Sequence, residues 1–249
     1  MNTQSAGSFS HLLNSAIATT CAEVVTLPIC TTKTRYQNTT SNSIFRTVSQ
    51  MYRTGGLPSF FSASLPAISS QVFSTSSKYF MYRMLEQQYN TAHNPYQRVL
   101  SGIVSGILSS LVTHPLDFIR VHWQMGVPVS ESSLRAYYRG YSKTLSKITV
   151  ASSLFFPLYE HLRQDHSLSA PVASMATATI STLIMQPLDY AKTRQIYGLP
   201  HSLTGQGPVV WLRSYYKGVG LNCARVIPHF TIVMVLIDFG EQKMMEPAS

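Results

Sequence analysis

Apolar positions in this chain gather into six long runs, at roughly 9–37, 62–90, 96–125, 139–165, 169–197 and 217–243. Each run predicts a helix. None offers the ~20 unbroken apolar residues of an ordinary lipid-spanning helix, because Ser and Thr recur throughout, as in "SGIVSGILSSLVTH" and "PVASMATATISTLIMQ". Helices that surround a water-filled cavity can carry such residues on one face while their backbones stay satisfied internally. The diluted pattern therefore points to a transporter rather than to a simple anchor. Short polar or amphipathic segments such as "NSIFRTVSQMYRTGG" separate the helices within each pair.

The six runs are not independent. The stretch "PICTTKTRYQ" from Pro28 has partners in "PLDFIRVHWQ" from Pro115 and "PLDYAKTRQI" from Pro187. Aligned on proline, the third position is Cys30, Asp117 or Asp189 and the sixth is Lys33, Arg120 or Lys192. A second element follows each time: "SFFSASLPA", "AYYRGYSKT" and "SYYKGVGLN" place an aromatic pair ahead of Ala63, Gly140 and Gly218. This is a threefold internal repeat of helix pairs, with approximate bounds 9–92, 93–167 and 168–249 inside a single domain spanning 1–249.

Composition sharpens the membrane reading. Hydrophobic residues make up 45% of the chain and charged residues 12%, about half the charge of an average soluble domain. The net charge is +9, and its distribution is asymmetric. Lys33, Arg35, Arg120, Arg139, Lys192, Arg194 and Lys217 cluster at the within-pair junctions, whereas Arg83, Arg98, Arg163 and Lys243 opposite are offset by acidic residues. Basic loops mark the non-translocated face, and an even number of crossings places both termini on one side. Cys21, Cys30 and Cys223 have no zinc spacing and do not suggest a disulfide framework; no metal or cofactor is expected. The start "MNTQSAGSFSHLLNSAIATT" has neither the basic region of a secretory signal nor an Arg-rich presequence, so an organellar address would be internal and no cleavable presequence is evident.

Three prolines with basic residues five positions later, Asp117 and Asp189, the glycines after their aromatic-basic approach, and "FPLYEHLR" at 156–163 make the chain similar to the mitochondrial carriers. The resemblance covers nearly the whole chain. It implies an all-α membrane fold: six transmembrane helices as three two-helix repeats around a central cavity, with short matrix-side amphipathic helices, in the mitochondrial inner membrane. It also implies a matrix gate in which Asp117 bridges to Lys192 and Asp189 to Lys33, while the third cation, Arg120, faces Cys30, which supplies no stable carboxylate. The prolines 28, 115 and 187 are expected to kink their helices so that the cavity tapers shut. The second, cytosolic gate fits the family poorly: Arg83 with Glu86, Glu160 with Arg163, and Asp238 with Glu241 follow three different charge orders.

By the same resemblance, solute contacts fall at Ser70 and Gln71, Lys147 and Ile148, Arg225 and Val226. Glu23 and Lys78 add two ionisable residues within apolar runs, where charges are costly and line a cavity or find partners. Lys147, Arg225 and Lys78 read as clamps for an anion. Glu23 is open to three roles: an internal partner for these cations, a proton carrier, or an acceptor of a solute's amino group. The expected solute is a small anionic metabolite moved by alternating-access exchange, with a nucleotide or deoxynucleotide favoured over a di/tricarboxylate or oxoacid. Further expected partners are the bilayer and anionic lipid at matrix-side helix ends, with a monomeric chain.

Other classes fare worse. His114 near Asp117 and His161 near Asp165 are the available acid/base pairs for an enzyme, and neither has a nucleophile context or a phosphate loop. The basic charge alone would suit a nucleic-acid binder, but the membrane-type composition argues against one. A carrier fold that transports nothing and serves as an interaction protein is the remaining alternative, on the strength of the irregular outer gate. From the sequence, Cys30→Asp is expected to stabilise the matrix-closed state, read as a higher melting temperature and altered transport rate.

Overall fold

The computed structural model describes residues 2–40, 43–89, 95–130, 133–164, 169–199 and 208–245, and the side chains of most of these. The described residues form long helices α1 (Asn2–Asn38), α3 (Ser64–Tyr89), α4 (Pro95–Met125), α6 (Tyr141–Gln164), α7 (Ala170–Ile196) and α9 (Val219–Met245). Shorter helices α2 (Ile44–Gly55), α5 (Leu134–Tyr137) and α8 (Pro208–Tyr215) lie within the pairs. The long helices pack in chain order and close into a ring, α9 returning to α1. Their ends lie within a few residues of the sequence expectation, except that α1 begins earlier.

Among the described residues one stretch, Val99–Met125, is long and apolar enough by composition alone to cross a membrane. Hydroxyls along the long helices fold back on their own backbone. Thr26 donates to the Ala22 carbonyl (2.7 Å), Thr177 to Ala173 (2.7 Å) and Thr182 to Ala178 (2.7 Å). Each such bond satisfies a polar group four residues upstream, so a Ser/Thr-rich helix need not send its hydroxyls to water.

Pro28, Pro115 and Pro187 all sit inside their helices, which run on past them; they do not act as stops. A proline leaves the carbonyl four residues earlier without its helical donor. For Pro115 that carbonyl belongs to Leu111, and the hydroxyl of Tyr138, from the junction that follows, donates to it at 2.8 Å. Tyr138 and Tyr141 also stack around His114, with ring centroids 6.0 and 5.2 Å away. The neighbouring Tyr137 meets the Phe118 ring at 5.0 Å. The aromatic pair before Gly140 is thus the packing face of that junction on α4.

Two glycines in the left-handed region open the second long helix of their pairs, Gly140 at φ 82° before α6 and Gly218 at φ 85° before α9. A Cβ on Gly140 would sit 3.2 Å from Ile196 at the end of α7, and one on Gly218 would sit 3.3 Å from Gln37 at the end of α1. The glycines therefore set both the turn and the close approach to a neighbouring helix. Gly140→Ala and Gly218→Ala are each expected to cost about 1–2 kcal/mol, lowering the thermal unfolding midpoint of detergent-purified protein by several degrees.

Candidate functional site

Positions three and six of each proline motif lie three residues apart and share a helix face. Asp117 and Arg120 on α4, Asp189 and Lys192 on α7, and Lys33 on α1 consequently point toward one another across the bundle axis. Lys33 pairs with Asp189, and Lys192 pairs with Asp117 at 2.8 Å. Arg120 is not left without a carboxylate: it pairs with Glu23 on α1. Glu23 precedes Cys30 by seven residues, about two helical turns, so both lie on one face of α1. Arg120 Nη2 passes 3.1 Å from Cys30 Sγ on its way to the carboxylate. The absent link expected at Cys30 is therefore supplied from higher on the same helix, and the ring α1–α7–α4 is complete.

Each of the three carboxylates has a second partner, always from the second long helix of a pair. Asp117 accepts from Ser70 Oγ on α3 at 2.6 Å. Asp189 also accepts from Lys147 on α6. Glu23, fully buried, accepts from Arg225 on α9 at 2.7 Å, with His229 Nδ1 4.0 Å away. Lys147 and Arg225 are thus engaged in ion pairs rather than free. Buried charges of this kind are retained only when paired, since desolvation costs several kcal/mol per ion.

Above and around these pairs lies a cavity of about 350 Å³. Ser70, Gln71, Lys147, Ile148 and Arg225 line it, together with Cys30, Lys33, Asp117, Arg120, Asp189 and Lys192. Val226 is not on this wall, and Glu23 lies behind it. The cavity and its immediate support bring five cations against three carboxylates. The surplus is localised: Asp117 with Lys192 is neutral, whereas Asp189 has two lysines and Glu23 two arginines. Ile148 leans on the α4 backbone at Gly106, where a Cβ would approach its Cγ2 to 2.7 Å. With Ala151 about one turn along α6, Ile148 forms one apolar patch of the lining; Val121 and Ile196, which also line it, belong to a separate cluster with Phe118.

The side chains of Lys78, Arg83, Glu86, Glu160, Arg163, Asp238 and Glu241 lie outside the described set. His114 is occupied by packing: Nε2 lies 3.1 Å from the Arg139 carbonyl and Nδ1 lies 3.2 Å from Thr144 Oγ1.

A polar layer supporting the pairs was not anticipated from the motifs. Lys33 also donates to Asn222 (2.9 Å), Asn222 to Gln186 (3.0 Å) and Gln186 to the Lys217 carbonyl (3.1 Å). Thr34 donates to Gln124 at 2.7 Å. Gln186 and Asn222 stand next to Pro187 and four residues after Gly218, so their place beside the motifs was the available signal. The junction cations also have local partners. Arg35 donates to the Gln124 carbonyl (2.6 Å), Arg194 to Gln37 (3.2 Å) and Lys217 to Thr39 (2.6 Å), each meeting carbonyls at or just beyond a helix C-terminus, where cations are favoured. Burial, followed by the Arg194 cation, lowers the Lys217 pKa to about 8.

Sequence comparison agrees with this architecture. The family model described as mitochondrial carrier protein matches residues 4–93 and 91–134. A mitochondrial carrier-like protein of Acanthamoeba polyphaga mimivirus is 46% identical over 243 residues, covering 96% of this chain and 98% of the relative. Two mitochondrial substrate carrier family proteins of Dictyostelium discoideum, ucpB and Z, are 21% and 25% identical, covering 88% and 97% of this chain and 90% and 94% of their own lengths. The chain belongs to the mitochondrial carrier family, whose members move small metabolites across membranes.

Because Asp189 holds two lysines, Lys33 buried and Lys147 about one-third exposed, and Asp117 one lysine and a hydroxyl, their isosteric amides should differ. Asp189→Asn is expected to cost about 3–5 kcal/mol, the range for breaking a buried pair, and Asp117→Asn about half as much. Thermal unfolding of the two variants side by side checks the order.

Proposed function

We infer that the protein is an alternating-access exchanger of small organic polyanions in the mitochondrial inner membrane, with nucleotides and deoxynucleotides as its preferred solutes. The observation that carries this reading is the surplus of two positive charges around a cavity of about 350 Å³, one at the Asp189 cluster and one at the Glu23 cluster. Such a volume falls in the range of small-molecule sites. Lys147 and Arg225 stand on different helices of the wall, so one polyanionic group can engage both clusters. Arg225 offers a forked donor and Lys147 a point charge, a combination suited to phosphate. Ser70 and Gln71 supply hydrogen-bonding groups, and Ile148 with Ala151 on α6 supplies an apolar patch of the kind a nucleobase uses. That apolar patch favours nucleotides over di- or tricarboxylates, which have no aromatic ring to place there.

The ion-pair ring closes one end of the cavity, which the basic junctions assign to the matrix side. Solute contacts must be strongest in the occluded state, where they offset the ion pairs that open. Exchange follows when the empty carrier switches slowly, and no covalent step is involved.

Reconstitution into liposomes with labelled nucleotides and carboxylates tests the reading. Nucleotide uptake is expected, reduced at least about tenfold by Arg225→Ala and by Lys147→Ala, the loss of a charge-assisted contact. Full activity in both variants overturns the site. Uptake of carboxylates alone overturns the solute class, and no uptake of any anion by folded protein favours a non-transporting role.

A further inference from the structure

We propose that Glu23 is the third gate carboxylate of this carrier, moved two turns along α1 from the position its repeat siblings use. The proposal rests on the gate reading above and adds to it a residue that the repeat pattern does not contain. In the second and third repeats the carboxylate stands two residues after the proline, as Asp117 and Asp189, and each binds a cation from the first long helix of another pair. The first repeat has Cys30 there. Arg120 brings its Nη2 to within 3.1 Å of that sulfur and makes its ion pair with Glu23 instead.

The geometry separates this role from that of a simple partner for Arg225. The two arginines use different oxygens, Arg120 taking Oε1 and Arg225 taking Oε2, so the carboxylate joins α4 to α1 and α9 to α1 at once. Glu23 is fully buried, and water does not compete for it. A displacement of seven residues amounts to about 10 Å along the helix, so this link closes beside the solute-facing Arg225 rather than at the helix ends. The cluster keeps one unbalanced positive charge while closed, and an anion can therefore be met at this depth before the link opens.

A charge-relocation cycle tests the proposal. E23Q is expected to lower the melting temperature by roughly 5–10 °C, as for loss of one partner of a buried pair. In a C21S/C223S background, E23Q is expected to speed labelling of Cys30 by a membrane-impermeant thiol reagent at least about tenfold, since Cys30 lies on the cavity wall beneath the lost link. E23Q/C30D should recover most of the lost melting temperature, because a carboxylate at position 30 lies within reach of Arg120. The gain from C30D should be at least about twice as large in E23Q as in the unmodified chain, the mark of two groups serving one partner. The proposal is overturned if E23Q leaves melting and labelling unchanged, if E23Q/C30D melts as low as E23Q, or if the two substitutions are additive. Should E23Q alone fail to fold, recovery of folded protein by E23Q/C30D supports the proposal and failure to recover overturns it. None of these measurements uses a solute, so a failure to transport nucleotides would overturn the proposed function without touching this test.

Discussion

A charge inside a lipid-embedded helical bundle must find an opposite charge within reach, and the centre of this protein is organised by that requirement. Water cannot screen or solvate Glu23, and a lone carboxylate there would be prohibitively costly. Every carboxylate on the axis accordingly has two partners from different helices. The pairs fix which helices must approach, and the glycines at 140 and 218 allow neighbouring chain segments to come close. Because each carboxylate joins the first long helix of its own pair to the first long helix of a second pair and the second long helix of the third, the three repeats hold one another around the cavity.

The hydroxyl-rich helices follow from the same accounting. A bundle around a polar cavity needs groups that tolerate both water and an apolar neighbour, and Ser and Thr can satisfy themselves on the preceding turn when no water is at hand. Among the described residues hydropathy recognises Val99–Met125, and all six long helices pack into the same ring.

Helix number and repeat order were legible because they rest on periodic signals that occur three times. The positions of Lys33, Asp117, Asp189 and Lys192 repeat in register, and the resemblance to the family supplied which of them pair. Glu23 was visible as a misplaced charge, but its bond to Arg120 was not, since a register argument looks for a carboxylate at position 30 and is blind to one that shares its helix face two turns earlier. Lys147 and Arg225 were legible as wall cations; that each divides a carboxylate with another cation depends on distances across the bundle that spacing along the chain does not encode. Gln186 and Asn222 escaped notice because a single amide beside a motif carries no periodicity.

The hydroxyl of Tyr138 on the Leu111 carbonyl gives the junction after α4 a mechanical part to play. The carbonyl freed by Pro115 is where α4 can most easily bend, and the group that satisfies it belongs to the connecting segment, not to the helix. Bending or straightening α4 at that point shifts its acceptor relative to Tyr138, so the segment must travel with the helix or release it. The connector then behaves as a tether whose slack sets how far that hinge can swing.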